Sequence, residues 1–236
     1  DVLNTVITSS AQRPHVLNTV NSFTNRGLDS SFASAYFPDM VVRDPTTLGN
    51  VQVPPSVAVL GAFSLNDQLA HPWFAPAGFT RGALESVELA AVRLNRTNLD
   101  DLYSADINPI TAFPGTGTVV WGQKTLLATP SALDRVNVRR LLIDVRRKVR
   151  NVANTIIFEP NRESTLARFS AAVQPILARI QAQQGLDRFK VVIDSSTTTQ
   201  LDVENNTVRG KIFLQPTKAV EFISLDFVVT NAGLDI

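Results

Sequence analysis

The chain has 236 residues, of which 44% are hydrophobic and 18% are charged, and its formal net charge is +1. This length suffices for one large domain or two small ones with a buried core, and the near-neutral charge does not favour nucleic acid or any strongly charged partner. The sequence contains no cysteine, which excludes disulfide scaffolds, thiolate zinc sites and cysteine nucleophiles.

The N-terminal quarter divides into a polar lead-in and the beginning of a core. Residues 1–30 are rich in Asn, Ser and Thr, and we interpret them as a weakly structured lead-in to one core domain at 31–236. Residues 30–38 and 40–44 are typical of short buried strands. Adjacent prolines then predict a helix at 54–69, because proline is tolerated in the first helical turn.

The middle of the chain predicts a short helix at 98–103 and then a β-hairpin. The hairpin strands are "INPITAF" and "GTVVWG", joined by the turn "PGTG". A phosphate-binding loop would require more glycine, a following lysine and the start of a helix. The strand-like flanks therefore favour a hairpin turn.

Two long helices are predicted next. The first runs over 137–152, with apolar residues at helical spacing and Asn137 as its N-cap. The second runs over 162–184, with Asn161 as its cap and Pro175 as an expected kink. Strand-like segments follow at 187–194, 206–216 and 220–230. This order favours an α/β (α+β) fold in which one mixed sheet packs with the two long helices.

Ordinary catalysis finds little support in the sequence. The two histidines, His15 and His71, lack metal-binding spacing, and no G-x-S-x-G motif places a serine nucleophile. Trp73 and Trp121 lie in apolar segments, and we interpret both as core residues rather than as platforms for a sugar or base. We therefore predict no catalytic residue, no metal site and no cofactor. No apolar run is long enough to predict a membrane span.

One basic cluster stands above this background. Residues 135–150 hold seven cations and only one carboxylate, Asp144. The cluster fits a solvated helix face that carboxylates elsewhere neutralise, or a surface for an acidic protein. Nucleic acid is the weaker interpretation, because no aromatic residues are interleaved. The seven cations are Arg135, Arg139, Arg140, Arg146, Arg147, Lys148 and Arg150.

Several segments, in this order, resemble the C-terminal domain of contractile phage tail sheath proteins. The resemblance covers about residues 30–230. It is carried by "SFASAYFPDMVVRD", the pattern V-P-P-S…W-x-A-P-A-G, "DINPITAFPGTGTVVWGQKTL", "VNVRRL", "FEPN" and "LDVENNTVRGKIFLQPTKAVEFISLDF".

The resemblance implies a structural, non-enzymatic subunit. Sheath subunits stack as hexameric rings in a helix around an inner tube, and contraction drives the tube through the target envelope. The implied partners are further copies of the subunit, the inner tail tube protein, the baseplate and the tail terminator. The implied location is the virion tail, assembled in the host cytoplasm. Since the chain begins at Asp1, we expect a core that lacks the linking arms of a longer subunit and is monomeric alone.

The resemblance also implies two interaction surfaces. The second long helix would face the tube, through Arg162, Arg168 and Arg179. The closing strand would pair with a neighbouring subunit by strand addition. Its residues are Glu221, Phe222, Ile223, Ser224, Leu225, Asp226, Phe227, Val228 and Val229. The alternative function is a basic-helix binding module for an acidic protein or nucleic acid. A hydrolase or sugar-binding domain that uses the tryptophans and carboxylates is a third possibility.

Overall fold

The computed structural model describes residues 15–25, 27–193, 197–205 and 207–221. The helices within these residues are α1 (His15–Thr24), α2 (Pro55–Leu69), α3 (Gly78–Arg81), α4 (Arg96–Ser104), α5 (Val136–Asn154), α6 (Glu163–Ala182) and α7 (Gln200–Glu204). The strands are β1 (Ala35–Phe37), β2 (Met40–Arg43), β3 (Asn50–Val53), β4 (Val87–Ala90), β5 (Ile107–Phe113), β6 (Gly117–Val120), β7 (Leu186–Val192) and β8 (Lys211–Pro216). A single 3₁₀ turn at Ala132–Asp134 precedes α5.

The expected α/β class is confirmed, but the expectation of a single sheet was wrong. The described strands form three small sheets, with strand orders β1-β5-β6, β3-β2-β4 and β7-β8. The first is mixed, since β1 runs parallel to β5 while β6 runs antiparallel to it. The other two are antiparallel throughout. The pairings of β1 with β5 and of β2 with β4 join distant parts of the chain, and local patterns do not reveal them.

The predicted hairpin is confirmed as β5 and β6. Both Gly115 and Gly117 have positive φ, of 80° and 76°, which glycine adopts without steric cost. The fully buried Asn108 ties this hairpin to its surroundings. Its amide donates to the carbonyls of Ala35 and Lys124 at 2.9 and 2.8 Å, and its oxygen accepts from the Lys124 N–H.

The helix after the two prolines is also confirmed. Pro54 is the N-cap of α2 and Pro55 is its first residue, so no backbone donor is lost there. The helix ends at Leu69, ahead of Pro72. Its buried side packs against the first two sheets in a core that includes Met40 and Ile110.

The two long helices form as predicted, although both predicted caps were wrong. Helix α5 begins at Val136, with Arg135 at the N-cap position. Asn137 lies inside the helix, buried, with its amide donating to the Trp73 carbonyl at 3.2 Å. Arg162, rather than Asn161, occupies the N-cap position of α6. Neither cap residue makes a side-chain capping bond, so local cap chemistry does not set where these helices begin.

The long helices and the β7-β8 sheet enclose the largest apolar cluster. Its members include Trp73, Leu141 and Phe169, and partly buried side chains of β7 and β8 cover it from the sheet side. The strands predicted over 187–194 and 206–216 are therefore confirmed in shorter form. The third predicted strand, 220–230, lies almost entirely outside the described residues.

Candidate interaction surface

The described residues contain neither a cluster of metal-binding side chains nor a membrane-spanning helix. Among them, no group of three or more His, Asp or Glu side chains is placed to hold a metal ion. None of their helices is long and apolar enough to cross a membrane.

The two tryptophans have different surroundings. Trp73 is buried, as predicted, and its indole N–H donates to the Gln183 carbonyl at 2.9 Å. Trp121 is 39% exposed, so its assignment to the core was wrong. It packs with Phe113 and Phe79, at ring-centroid distances of 4.6 and 5.1 Å. These three rings form an aromatic surface patch.

Most cations of the basic cluster are paired within the chain. Arg140 meets Asp67, with its guanidinium 2.6 Å from the carboxylate. Arg147 and Lys148 share Asp144, at 2.8 and 2.6 Å. Arg140 therefore fits the interpretation of a helix face neutralised by carboxylates elsewhere, whereas Arg147 and Lys148 pair with the cluster's own carboxylate.

Arg139 and Arg135 also bind inside the chain. The Arg139 guanidinium donates to Ser31 and lies over the Phe32 ring, 3.9 Å from its centroid. Arg135 pairs with Asp134 and Glu221, at 3.1 and 2.7 Å. Arg139, Arg146 and Arg150 lack an ion pair with any carboxylate of the described residues, and of these three Arg146 and Arg150 are exposed. This small remainder is a weak footprint for nucleic acid.

The three arginines predicted to face a tube all lie at the surface. Arg168 and Arg179 are eleven residues apart on α6, about three helical turns, so they share one face. That face is opposite the buried stripe that contains Phe169 and Leu177. Arg168 pairs with Glu159 at 3.3 Å in an exposed contact, and Arg162 stands at the helix N-terminus. The geometry gives a cationic outer face on α6.

Glu221 is the one position of the predicted inter-subunit strand that the structure describes, and it lies outside any strand of its own chain. Its carboxylate accepts hydrogen bonds from Tyr103, Gln123 and Arg135, at 2.5, 3.1 and 2.7 Å. The other eight positions, 222–229, lie outside the described residues. Sequence reasoning missed this cluster, which we call the Glu221 anchor, because its donors are 118, 98 and 86 residues away.

The surroundings of the Glu221 anchor favour the charged forms of both Glu221 and Arg135. Burial alone would raise the pKa of Glu221, but hydrogen bonds from Tyr103 and Arg135 outweigh it and lower that pKa. Burial and the hydrogen bond to Glu221 raise the pKa of Tyr103 to about 12. The pKa of Arg135 is also raised: burial would lower it, and the contact with Glu221 prevails. Glu221 is therefore an anion and Arg135 a cation at neutral pH.

Comparison with known sequences shows the family to which this chain belongs. Residues 128–230 match the model of the family described as the phage tail sheath C-terminal domain. The chain belongs to the tail sheath family. The tail sheath protein of Vibrio phage KVP40 is 36% identical over 79% of this chain, and that of Enterobacteria phage T4 is 31% identical over the same share. The chain spans only 28% of the length of either relative.

Solved sheath structures have the same fold. A sheath complex of an extracellular contractile injection system in the contracted state superposes with a TM-score of 0.79 and 27% identity. The superposition covers 92% of this sheath chain and 60% of that one. The helical sheath of the anti-feeding prophage, also contracted, gives a TM-score of 0.74 and 26% identity, over 84% of this chain and 56% of its own. The resemblance drawn from the sequence motifs is confirmed.

Proposed function

We propose that this chain is the core of a structural subunit that polymerises as a sheath around an inner tube and contracts to drive the tube through a host envelope. The observation that carries the proposal is the superposition on a contracted sheath over nearly the whole chain. The role is mechanical rather than catalytic. Residues 31–236 are the core domain, residues 1–30 lead into it, and the assembled location is the virion tail after assembly in the host cytoplasm.

The β7-β8 pair supports assembly by strand addition. Neither outer edge of this two-stranded sheet carries a third strand among the described residues, so backbone donors and acceptors stay available there. A strand from another copy would add main-chain hydrogen bonds at such an edge. Residues 222–229, whose side chains are largely apolar, are the proposed donor segment. Linked edges of this kind hold copies together while their bodies rotate.

The outer face of α6 supports a contact with the tube through Arg162, Arg168 and Arg179. Charged contacts near water are individually weak and add up over many subunits. They also release without leaving a large apolar surface in water. We expect an acidic patch on the outer wall of the tube protein. The baseplate and the tail terminator are the further proposed partners, and no nucleic acid is expected.

Negative-stain electron microscopy of the full-length protein, with and without its tube protein, tests the proposal. We expect tubular polymers with a regular helical repeat, whose length follows that of the tube. Dispersed particles in every condition would contradict the proposal. Salt-sensitive binding of an oligonucleotide by such particles would favour a basic-helix binding module instead.

A further inference from the structure

The last described segment, residues 217–221, is held at its two ends and free between them. At one end, the Thr217 N–H donates to the Gly185 carbonyl at 3.3 Å and its hydroxyl donates to Asp187 at 2.7 Å. At the other end is the carboxylate of Glu221. Residues 218–220 are exposed and make no hydrogen bond to the described part of the chain, and Val220 is 81% exposed.

The middle of this segment lies beside a cavity, so only the two ends of the segment are attached to the rest of the chain. The segment borders an open cavity of about 990 Å³, whose other walls include Trp73, Phe113 and Trp121. The middle of the segment therefore has little packing beneath it. Glu221 differs from its neighbours, because its side chain is only 19% exposed although its backbone is open to solvent. One side chain thus fixes this end of the segment.

The donors of the Glu221 anchor come from three separate parts of the body. Tyr103 lies on α4, Gln123 follows β6, and Arg135 is the N-cap residue of α5. Arg135 also donates to the Tyr103 hydroxyl at 3.2 Å, which connects two of the donors directly. Such a site has a fixed geometry, because the charged pair and its hydrogen bonds hold each other in place.

We infer that Glu221 is the positioning residue for the C-terminal arm: its anchor fixes where residues 222–229 leave the body and therefore where they meet a neighbouring copy. The inference rests on the proposed function. The strand that pairs with the neighbour begins after Glu221, and the carboxylate stays bound to its own subunit. Tension on the arm is then carried to the N-terminus of α5.

Limited trypsin digestion of the unassembled full-length protein tests the anchor itself. A protease binds several extended residues on both sides of the cut, so cleavage after Lys218 becomes faster when the Glu221 end of the segment leaves the body, and its rate reports detachment. In Glu221→Gln and Arg135→Gln we expect the peptide that begins at Ala219 to appear about tenfold faster, since each variant removes a charged partner. Glu204→Gln and Arg150→Gln are the matched controls, because both side chains are exposed and form no ion pair within the described residues. Equal cleavage rates in all five proteins would overturn the inference.

Sheath assembly tests the consequence. Glu221→Gln should form fewer and more irregular tubes than the wild type, while its circular dichroism spectrum near neutral pH matches that of the Glu204→Gln control. Normal tubes from a rapidly cleaved Glu221→Gln protein would overturn the positioning role. If the wild type itself forms no tubes, the proposed function fails, whereas the cleavage rates still decide whether the anchor exists.

Discussion

At the scale of single residues, Trp73 joins the two long helices to the segment that follows α2. Its ring stacks on His71 at 4.6 Å between centroids, and Lys148 lies 5.4 Å from its face. Gly185 passes so close that an added Cβ would lie 3.0 Å from the indole. This close approach explains why glycine follows α6.

Trp73→Ala should lower the free energy of unfolding by about 3–5 kcal/mol, because it removes a large buried aromatic and leaves a cavity. Urea denaturation followed by circular dichroism measures the change. Trp121→Ala is the matched control, and its loss should be only about 1 kcal/mol, since that ring is partly exposed and gains mainly from its aromatic neighbours. Equal losses in the two variants would show that burial does not distinguish these tryptophans.

At the scale of elements, the two long helices compete for the role of tube contact. Helix α5 has the greater charge, but Asp67, Asp134, Asp144 and Glu221 pair with most of it. Helix α6 has fewer cations. Its Arg168 forms an ion pair with Glu159, but this pair is exposed to solvent and therefore weak. The internal pairing therefore favours α6 on physical grounds, as the family resemblance does.

Reversing Arg168 and Arg179 to Glu in the full-length protein should weaken sheath assembly on tubes, because two cations of one helix face become repulsive toward an acidic wall. The fold should be unaffected, since both side chains are exposed. Electron microscopy counts the sheathed tubes, and circular dichroism monitors the fold.

The matched control reverses Arg146, Arg147 and Arg150 on α5. If the α6 variant assembles normally and the α5 variant forms no sheaths, the tube-facing helix has been assigned wrongly.

At the scale of the whole molecule, the described carboxyl groups with shifted pKa values make the fold sensitive to acid. Hydrogen bonds from neighbouring threonines lower the pKa values of Asp44 and Asp202, and the anchor lowers that of Glu221. Burial raises the pKa of Asp39, which acts in the opposite direction. Three of these pKa values are lowered by folding and only one is raised. The unfolded chain therefore binds more protons than the folded chain near and below pH 4.5, which is the ordinary pKa of Glu.

The free energy of unfolding should therefore fall as the pH is lowered from about 5 to 3. The contribution of Glu221 is fully present above its unfolded pKa and is lost as the pH falls through its lower folded value. Urea unfolding at a series of pH values measures this slope, which Glu221→Gln should reduce and Glu204→Gln should not. A stability that is constant or rises toward acid would contradict the assignment of charged, hydrogen-bonded carboxylates.

The sequence by itself determined the elements and the family. Proline at the start of α2, glycines at the hairpin turn and apolar residues at helical spacing in α5 and α6 act within a few residues of each other, so their effects can be read locally. The tertiary structure alone decided the rest. It separated the buried Trp73 from the exposed Trp121, divided the strands into three sheets, and brought Asp67 to Arg140 across 73 residues and Glu221 to Arg135 across 86. The reason is physical: burial and charge pairing depend on which distant surfaces meet, and no local pattern records that.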